Sequence, residues 1–243
     1  MQCPSGTVPP PSARGPLLLL AGRARRGVWL LSIGLAALLA SLALAGLLLA
    51  PRSRVARGPA LPDARPLIVQ VIALDWKFLF IYPDQGIAAI DKPTFPAGRP
   101  ISFELTSDRT TQSFSIPGLG RQRQATAGTV SRLDLPPSAP GEFLGENTQF
   151  NGEGFEAEKF TARIVAPDAF AAWAARVRGA GRPLDEFAWK LIEADNTPDQ
   201  LAGKLGLPPA GPEGLAFSSL LPDLFGRVLS RFGAETRPAG EGE

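Results

Sequence analysis

The side chains that most often do chemistry are nearly absent from this chain. It contains no histidine, and its single cysteine (Cys3) and single methionine (Met1) stand at the extreme N-terminus. Imidazole and thiolate are the usual protein ligands of copper, zinc and haem iron, so a blue-copper or dinuclear copper site has no donors here. A Ser-His-Asp or Cys-His nucleophilic machine is excluded for the same reason. A disulfide within the chain is impossible, so cysteine usage is silent on redox compartment. The remaining metal chemistry is carboxylate-only binding of Mg²⁺ or Ca²⁺. Glu153, Glu156 and Glu158 fall in one short stretch and are the one grouping that suggests it, although a solvated acidic loop is the commoner meaning of such a run. The charge balance, 25 basic against 23 acidic residues for a net +2, gives no sign of a nucleic-acid partner.

The elements that would carry these residues begin at a membrane segment. Val28 to Ala50 form an uncharged apolar run rich in small residues. As a helix it would rise ~35 Å, enough for a bilayer core of ~30 Å. Arg23, Arg25 and Arg26 before it and Ala43-Leu44-Ala45 within it resemble a signal peptide, but the run exceeds the usual apolar core of such peptides, so it is read as an uncleaved anchor. Arginines on both sides (Arg52, Arg54 and Arg57 follow the run) leave its orientation open by charge alone. Residues 1–27 are expected to be disordered, and the Pro- and Arg-rich residues 51–66 to be a linker.

Residues 67–166 carry the spacing of short strands between Pro and Gly turns. Strands are expected over Leu67–Leu74, Asp75–Tyr82, Gly86–Ile90, Pro100–Thr106, Gln112–Ile116, Val130–Leu135, Gly141–Leu144 and Lys159–Val165. That pattern predicts a mainly β sandwich or Greek-key barrel. Residues 167–233 change to helical spacing. One helix is expected from Pro167 through Arg178, with Phe170, Trp173 and Val177 on its apolar face. A second covers Leu184–Ala194, burying Phe187, Leu191 and Trp189, and then comes a Pro- and Gly-rich loop. A last amphipathic helix presents Leu224, Phe225, Val228, Leu229 and Phe232 and stops at Gly233, leaving 234–243 as a polar tail.

Three stretches, VQVIALDWKFLFIYPDQGIA (Val69–Ala88), SFSIPGLGRQRQATAG (Ser113–Gly128) and FNGEGFEAEKF (Phe150–Phe160), resemble subunit II of the haem–copper terminal oxidases, and most of all the quinol oxidase branch of the cytochrome bo type. PDLFGRVLSRF (Pro222–Phe232) is similar to that branch's closing helix. The resemblance runs from about Val28 to Phe232 and implies a cupredoxin-like Greek-key sandwich on the periplasmic side of a bacterial inner membrane, held by one N-terminal transmembrane helix with its N-terminus inside.

In copper-bearing relatives the dinuclear centre uses two His, two Cys, one Met and a backbone carbonyl. The matching positions are Gln112 and Phe155 for His, Asn147 and Asn151 for Cys, Glu158 for Met, and Gln149 for the carbonyl. Every side-chain ligand is replaced, which is the mark of the quinol oxidase branch. The resemblance therefore implies a copper-free structural and assembly subunit without catalytic residues. Haem and copper are expected in the partner subunit I, where membrane quinol would be oxidised and dioxygen reduced, with proton translocation by the complex. Gln112, Asn147, Gln149 and Asn151 are expected either to form a hydrogen-bonded remnant with Phe155 as plug, or to be an ordinary loop packed by Phe155. Trp76 is placed as a packing or interface residue, and Arg121 and Arg123, after the Pro-Gly-Leu-Gly turn, as residues facing subunit I. Two departures from the family stand out. One span is visible where the family has two, and Cys3 precedes any apolar run, unlike a lipoprotein cysteine. A wrongly assigned start or a shortened relative would account for both. They also sustain the alternative of a stand-alone membrane-anchored cupredoxin-like binding or assembly module.

Overall fold

The computed structural model describes residues 37–39, 41, 65–208 and 213–232. The chain divides into two compact units, Met1–Arg52 and Ser53–Glu243. In the first, residues 37–39 and 41 are helical, and the rest of the expected span 28–50 lies outside the described residues. So do residues 1–27, the linker up to residue 64 and the tail 234–243. Among the described residues no helix is long and apolar enough to cross a membrane.

The second unit is mainly β. Its described strands are β1 (Leu67–Leu74), β2 (Lys77–Tyr82), β3 (Ile87–Ile90), β4 (Thr94–Pro96), β5 (Ile101–Ser107), β6 (Gln112–Ile116), β7 (Arg121–Ala125), β8 (Ser131–Leu135), β9 (Gly141–Asn147), β10 (Lys159–Val165), β11 (Arg182–Pro183) and β12 (Leu215–Ser219). Its described helices are α1 (Pro167–Ala180), α2 (Glu186–Glu193), α3 (Pro198–Lys204) and α4 (Leu224–Ser230). The strands form a seven-stranded sheet, β11-β12-β3-β2-β1-β5-β8, and a five-stranded sheet, β4-β10-β9-β6-β7. β1 runs antiparallel to β2 and parallel to β5.

Period-two alternation explains why the central strands look apolar throughout. Val69, Val71, Ala73, Phe78, Phe80 and Tyr82 enter the core between the sheets, while Ile72, Leu74, Leu79 and Ile81 enter a second core formed with the helices. The first core is built on aromatic rings. Phe114 stacks on Phe160 at 5.2 Å, and Phe80 meets Phe160 at 5.0 Å edge-on. At its far end Tyr82 lies 5.4 Å from Trp173 of α1, and its hydroxyl donates to the Thr94 carbonyl at 3.0 Å. The second core gathers Trp189, Ile192, Leu201, Phe217 and Val228. Two of its helices, α2 and α3, start on side-chain caps. Asp185 accepts from the Ala188 N–H at 2.7 Å, and Thr197 and Gln200 form a reciprocal capping box ahead of Pro198.

Several expectations are corrected. Asp75 and Trp76 do not extend β2: they form the β1–β2 turn, with Trp76 at φ 74°. The Pro- and Gly-rich loop after Ala194 contains α3 and β12, and β12 pairs with β3 inside the larger sheet. Short β4 and β7 also went unpredicted, one too brief and the other too polar to show alternation. Phe187 is 57% and Phe232 48% exposed, so neither joins the helical core; Ala188 and Trp189 take the inward face of α2 instead. Leu191 packs against that core only in part.

Gly145 of β9 faces the Phe160 ring so closely that a Cβ there would sit 2.0 Å from it. Gly145→Ala is expected to destabilise the domain by roughly 1–3 kcal/mol through overpacking. A denaturant titration showing an unchanged midpoint would rule this out.

Candidate functional site

One end of the sandwich is polar where the rest of its interior is aromatic. Along β6 the residues facing inward are Ile116, Phe114 and then Gln112. Along β9 Gly145 is succeeded by Asn147, and along β10 Phe160 is preceded by Glu158. All three polar residues are buried, at 1%, 4% and 0% exposure for Gln112, Asn147 and Glu158. β6 and β9 pair at Phe114 and Asn147, and the Asn147 N–H reaches the Glu158 carbonyl at 3.2 Å, which brings the three strand ends together.

Asn147 is the organising residue. Its Oδ1 accepts from the Ser113 N–H at 3.0 Å and from the Gln149 N–H at 2.9 Å. Its Nδ2 donates to the Gln149 carbonyl at 2.7 Å and to Glu158 Oε2 at 3.1 Å. Asn151 Nδ2 donates to the same Oε2 at 2.7 Å. Asn147, Gln149, Asn151 and Glu158 therefore form one network, whereas the remnant reading named Gln112 in place of Glu158. Gln112 shares the location but not the network: its buried Oε1 has no hydrogen-bond partner among the described residues. Phe155 is only partly buried, and its ring lies 5.7 Å from that of the exposed Phe150.

Burial pushes the Glu158 carboxyl up to about 8, against the two amide donors and Lys77, which pull it down. At neutral pH the acid is protonated. Oε2 takes both N–H groups, and Oε1 is buried without a hydrogen-bond partner among the described residues. Lys77 is the second buried ionisable group here, at 1% exposure. Its side chain lies on the helical face of β2 with Leu79 and Ile81. Its Nζ donates to the carbonyls of Asp75 (3.0 Å), Ala194 (3.0 Å) and Asn196 (2.9 Å). Burial lowers the ammonium to about 8, with Asp75, Asp195 and Glu158 opposing.

Trp76 sits over this end. The Asn151–Gly154 loop lies against its indole, and a Cβ at Gly154 would fall 2.1 Å from the ring. Glycine at 154 is what lets the loop lie flat on the indole. Sequence reasoning missed Lys77 and the two glycines of this loop. The available signals were the parity of Lys77 with Leu79 and Ile81, and the Gly-x-Gly spacing at Gly152 and Gly154.

The three-carboxylate cation reading does not survive. Glu158 turns inward to the amides while Glu153 and Glu156 are exposed. Among the described residues no three His, Cys, Asp or Glu side chains gather closely enough for a metal ion. Arg121 and Arg123 lie exposed on β7, the edge strand of the smaller sheet, where Arg123 pairs with Phe114 of β6.

No family model matches the chain. It is 41% identical over 138 residues to cytochrome bo(3) ubiquinol oxidase subunit 2 of Pseudomonas putida, covering 56% of this chain and 44% of that one. It is 42% identical over 132 residues to ubiquinol oxidase subunit 2 of Acetobacter aceti, covering 54% and 43%. Over that stretch the chain is similar to ubiquinol oxidase subunit 2. It spans about half the length of the curated relatives it matches. Among solved structures it is similar to the periplasmic domain of subunit II of cytochrome oxidase from Bradyrhizobium japonicum, at 19% identity and TM-score 0.44, covering 47% of this chain and 94% of that one.

The Glu158 carboxyl makes stability depend on pH in a defined direction. Between about 4.5 and 8 the unfolded chain ionises this group while the folded chain keeps it protonated, so stability falls as pH rises through that window and then levels. Lys77 acts the other way above about 8, where the folded chain releases a proton that the unfolded chain holds to 10.5. Glu158→Gln is expected to remove its share of the fall, on the order of 5 kcal/mol between the two ends of the window. Urea midpoints of parent and variant across that range check it, and parallel curves would contradict the assignment.

Proposed function

We propose that this chain acts as subunit 2 of a respiratory quinol oxidase, as a copper-free structural and assembly subunit docked on subunit I. The observation that carries the reading is the 41% identity over 138 residues; the buried amide–carboxyl network supports it, at positions that the resemblance matches to copper ligands. Gln112, Asn147, Asn151, Phe155 and Glu158 offer amide, phenyl and carboxyl groups, with Gln149 supplying the carbonyl. None is the bridging thiolate that a soft dinuclear copper centre needs. The Glu158 network fills the space with hydrogen bonds internal to the chain, which suits a scaffold better than an electron relay.

In this reading the sandwich is of the cupredoxin type, periplasmic, and anchored by the single span 28–50. Residues 67–166 are the sandwich domain and 167–233 its C-terminal extension. Haem and copper belong to subunit I, where quinol is oxidised, dioxygen is reduced to water and protons are moved. Trp76, Arg121 and Arg123 face the partner. The exposed guanidinium groups of β7 are well suited to carboxylates or haem propionates there.

A mild-detergent pull-down of the tagged chain from its native membranes tests the reading. Co-purification of a large multi-helix subunit with a reduced-minus-oxidised haem spectrum is the expected result. A haem-free preparation, from membranes holding an intact oxidase, would replace it with a stand-alone anchored module.

A further inference from the structure

The loop that covers Trp76 is attached to the domain at few points. No residue from 148 to 157 is buried, and none belongs to either core. Phe150 is 76% exposed, with its ring against that of Phe155 in the same loop. The N–H groups of Phe155, Ala157 and Glu158 donate to the carbonyls of Gly152, Gly154 and Phe155, which holds the loop to itself. From residue 150 to 157, the hydrogen bond that reaches a buried side chain is Asn151 Nδ2 to Glu158 Oε2, at 2.7 Å. The other attachment is the glycine face on the indole, where a Cβ at Gly152 would fall 3.4 Å from Trp76 Nε1. A segment with so few buried contacts opens locally at low cost.

The closed arrangement also carries unfavourable terms. Trp76 is held at φ 74°, in the left-handed region that favours glycine. Its indole N–H, Asn151 Oδ1 and Glu158 Oε1 are buried without hydrogen-bond partners among the described residues, and opening would give them water. A neutral Glu158 meets no charge penalty on closing. An ionised one would carry negative charge beside an oxygen that no donor reaches, at 0% exposure. Of the charged groups around it, Lys77 of β2 opposes that penalty and Asp75 of the β1–β2 turn adds to it. The loop's own Glu153 and Glu156 are exposed.

We propose that residues 150–157 form a lid, latched over Trp76 by the Asn151–Glu158 hydrogen bond, and that ionisation of Glu158 releases it. The closed lid keeps the Glu158 proton to higher pH than the open lid, in which the carboxyl is hydrated. Closure is therefore strongest at low pH and weakens as pH rises between the ordinary value of 4.5 and about 8. The inference is independent of the oxidase reading, since lid and latch belong to this chain alone.

The test uses the full chain in lipid nanodiscs, with its four tryptophans replaced by 5-fluorotryptophan. ¹⁹F NMR is recorded from pH of about 5 to about 8, and the Trp76 resonance is assigned by its loss in Trp76→Phe. The shift of that resonance between H₂O and D₂O reads its exposure to water. Exposure of Trp76 is expected to grow with pH, the open population rising by at most about tenfold per unit. The resonances of Trp173 and Trp189, buried in the two cores, are expected to stay fixed. Glu158→Gln keeps the acceptor and removes the charge, so its Trp76 should stay covered across the range. Asn151→Ala removes the latch and should expose Trp76 already at the acid end. If Glu158→Gln fails to fold, Asn151→Ala decides alone. A Trp76 signal indifferent to pH, a change shared by all three resonances, a pH response that persists in folded Glu158→Gln, or an Asn151→Ala chain as covered as the parent would overturn the proposal.

Discussion

The larger sheet is apolar on both faces, and a sheet of that kind is unstable until both are covered. β1 and β2 present Val69, Val71, Phe78 and Phe80 to one side and Ile72, Leu74, Leu79 and Ile81 to the other. The five-stranded sheet covers the first side with interlocking phenyl rings, and α2, α3 and α4 cover the second. Each side hides enough hydrocarbon to dominate local energetics at about 25 cal/mol per Å². The segment after Val165 is therefore a structural layer of the domain. Without it the helical face of β1, β2 and β3 would be wet.

Three polar residues enter this apolar frame on hydrogen bonds supplied by the fold. Asn147 satisfies two backbone donors and reaches one backbone carbonyl and one carboxyl oxygen, using both ends of its amide. Lys77 is clasped by three carbonyl oxygens, two of them from the α2–α3 connection. Glu158 is accommodated by keeping its proton. These are three ways of limiting the cost of burying polarity.

Much of the fold was legible because its strongest signals are local. β1, β6 and β10 have the bounds that their residue patterns predict, and Phe170, Trp173 and Val177 take the buried face of α1 as their spacing requires. What was missed depends on tertiary partners. β12 is five residues in a Gly- and Pro-rich stretch and becomes a strand because β3 offers it an open edge. Phe187 is exposed although its type favours burial, because Ala188 and Trp189 fix the phase of α2. At the site, the family resemblance grouped Gln112, Asn147, Gln149, Asn151, Phe155 and Glu158, and four of these six share the network. That Glu158 would be the shared acceptor, and that Phe155 would turn toward Phe150, depended on how the loop closes over Trp76.

The carbonyl clasp on Lys77 also bears on the order in which the domain is assembled. Two of its oxygens arrive 117 and 119 residues after the lysine along the chain, and β12 must be made later still before it can zip onto β3. While the chain is being synthesised, the sandwich can close on its aromatic core long before the helical face is complete. Until then Lys77 and the apolar residues beside it remain in water. The C-terminal third thus closes a face that the sandwich alone leaves open, through pairings distant along the chain.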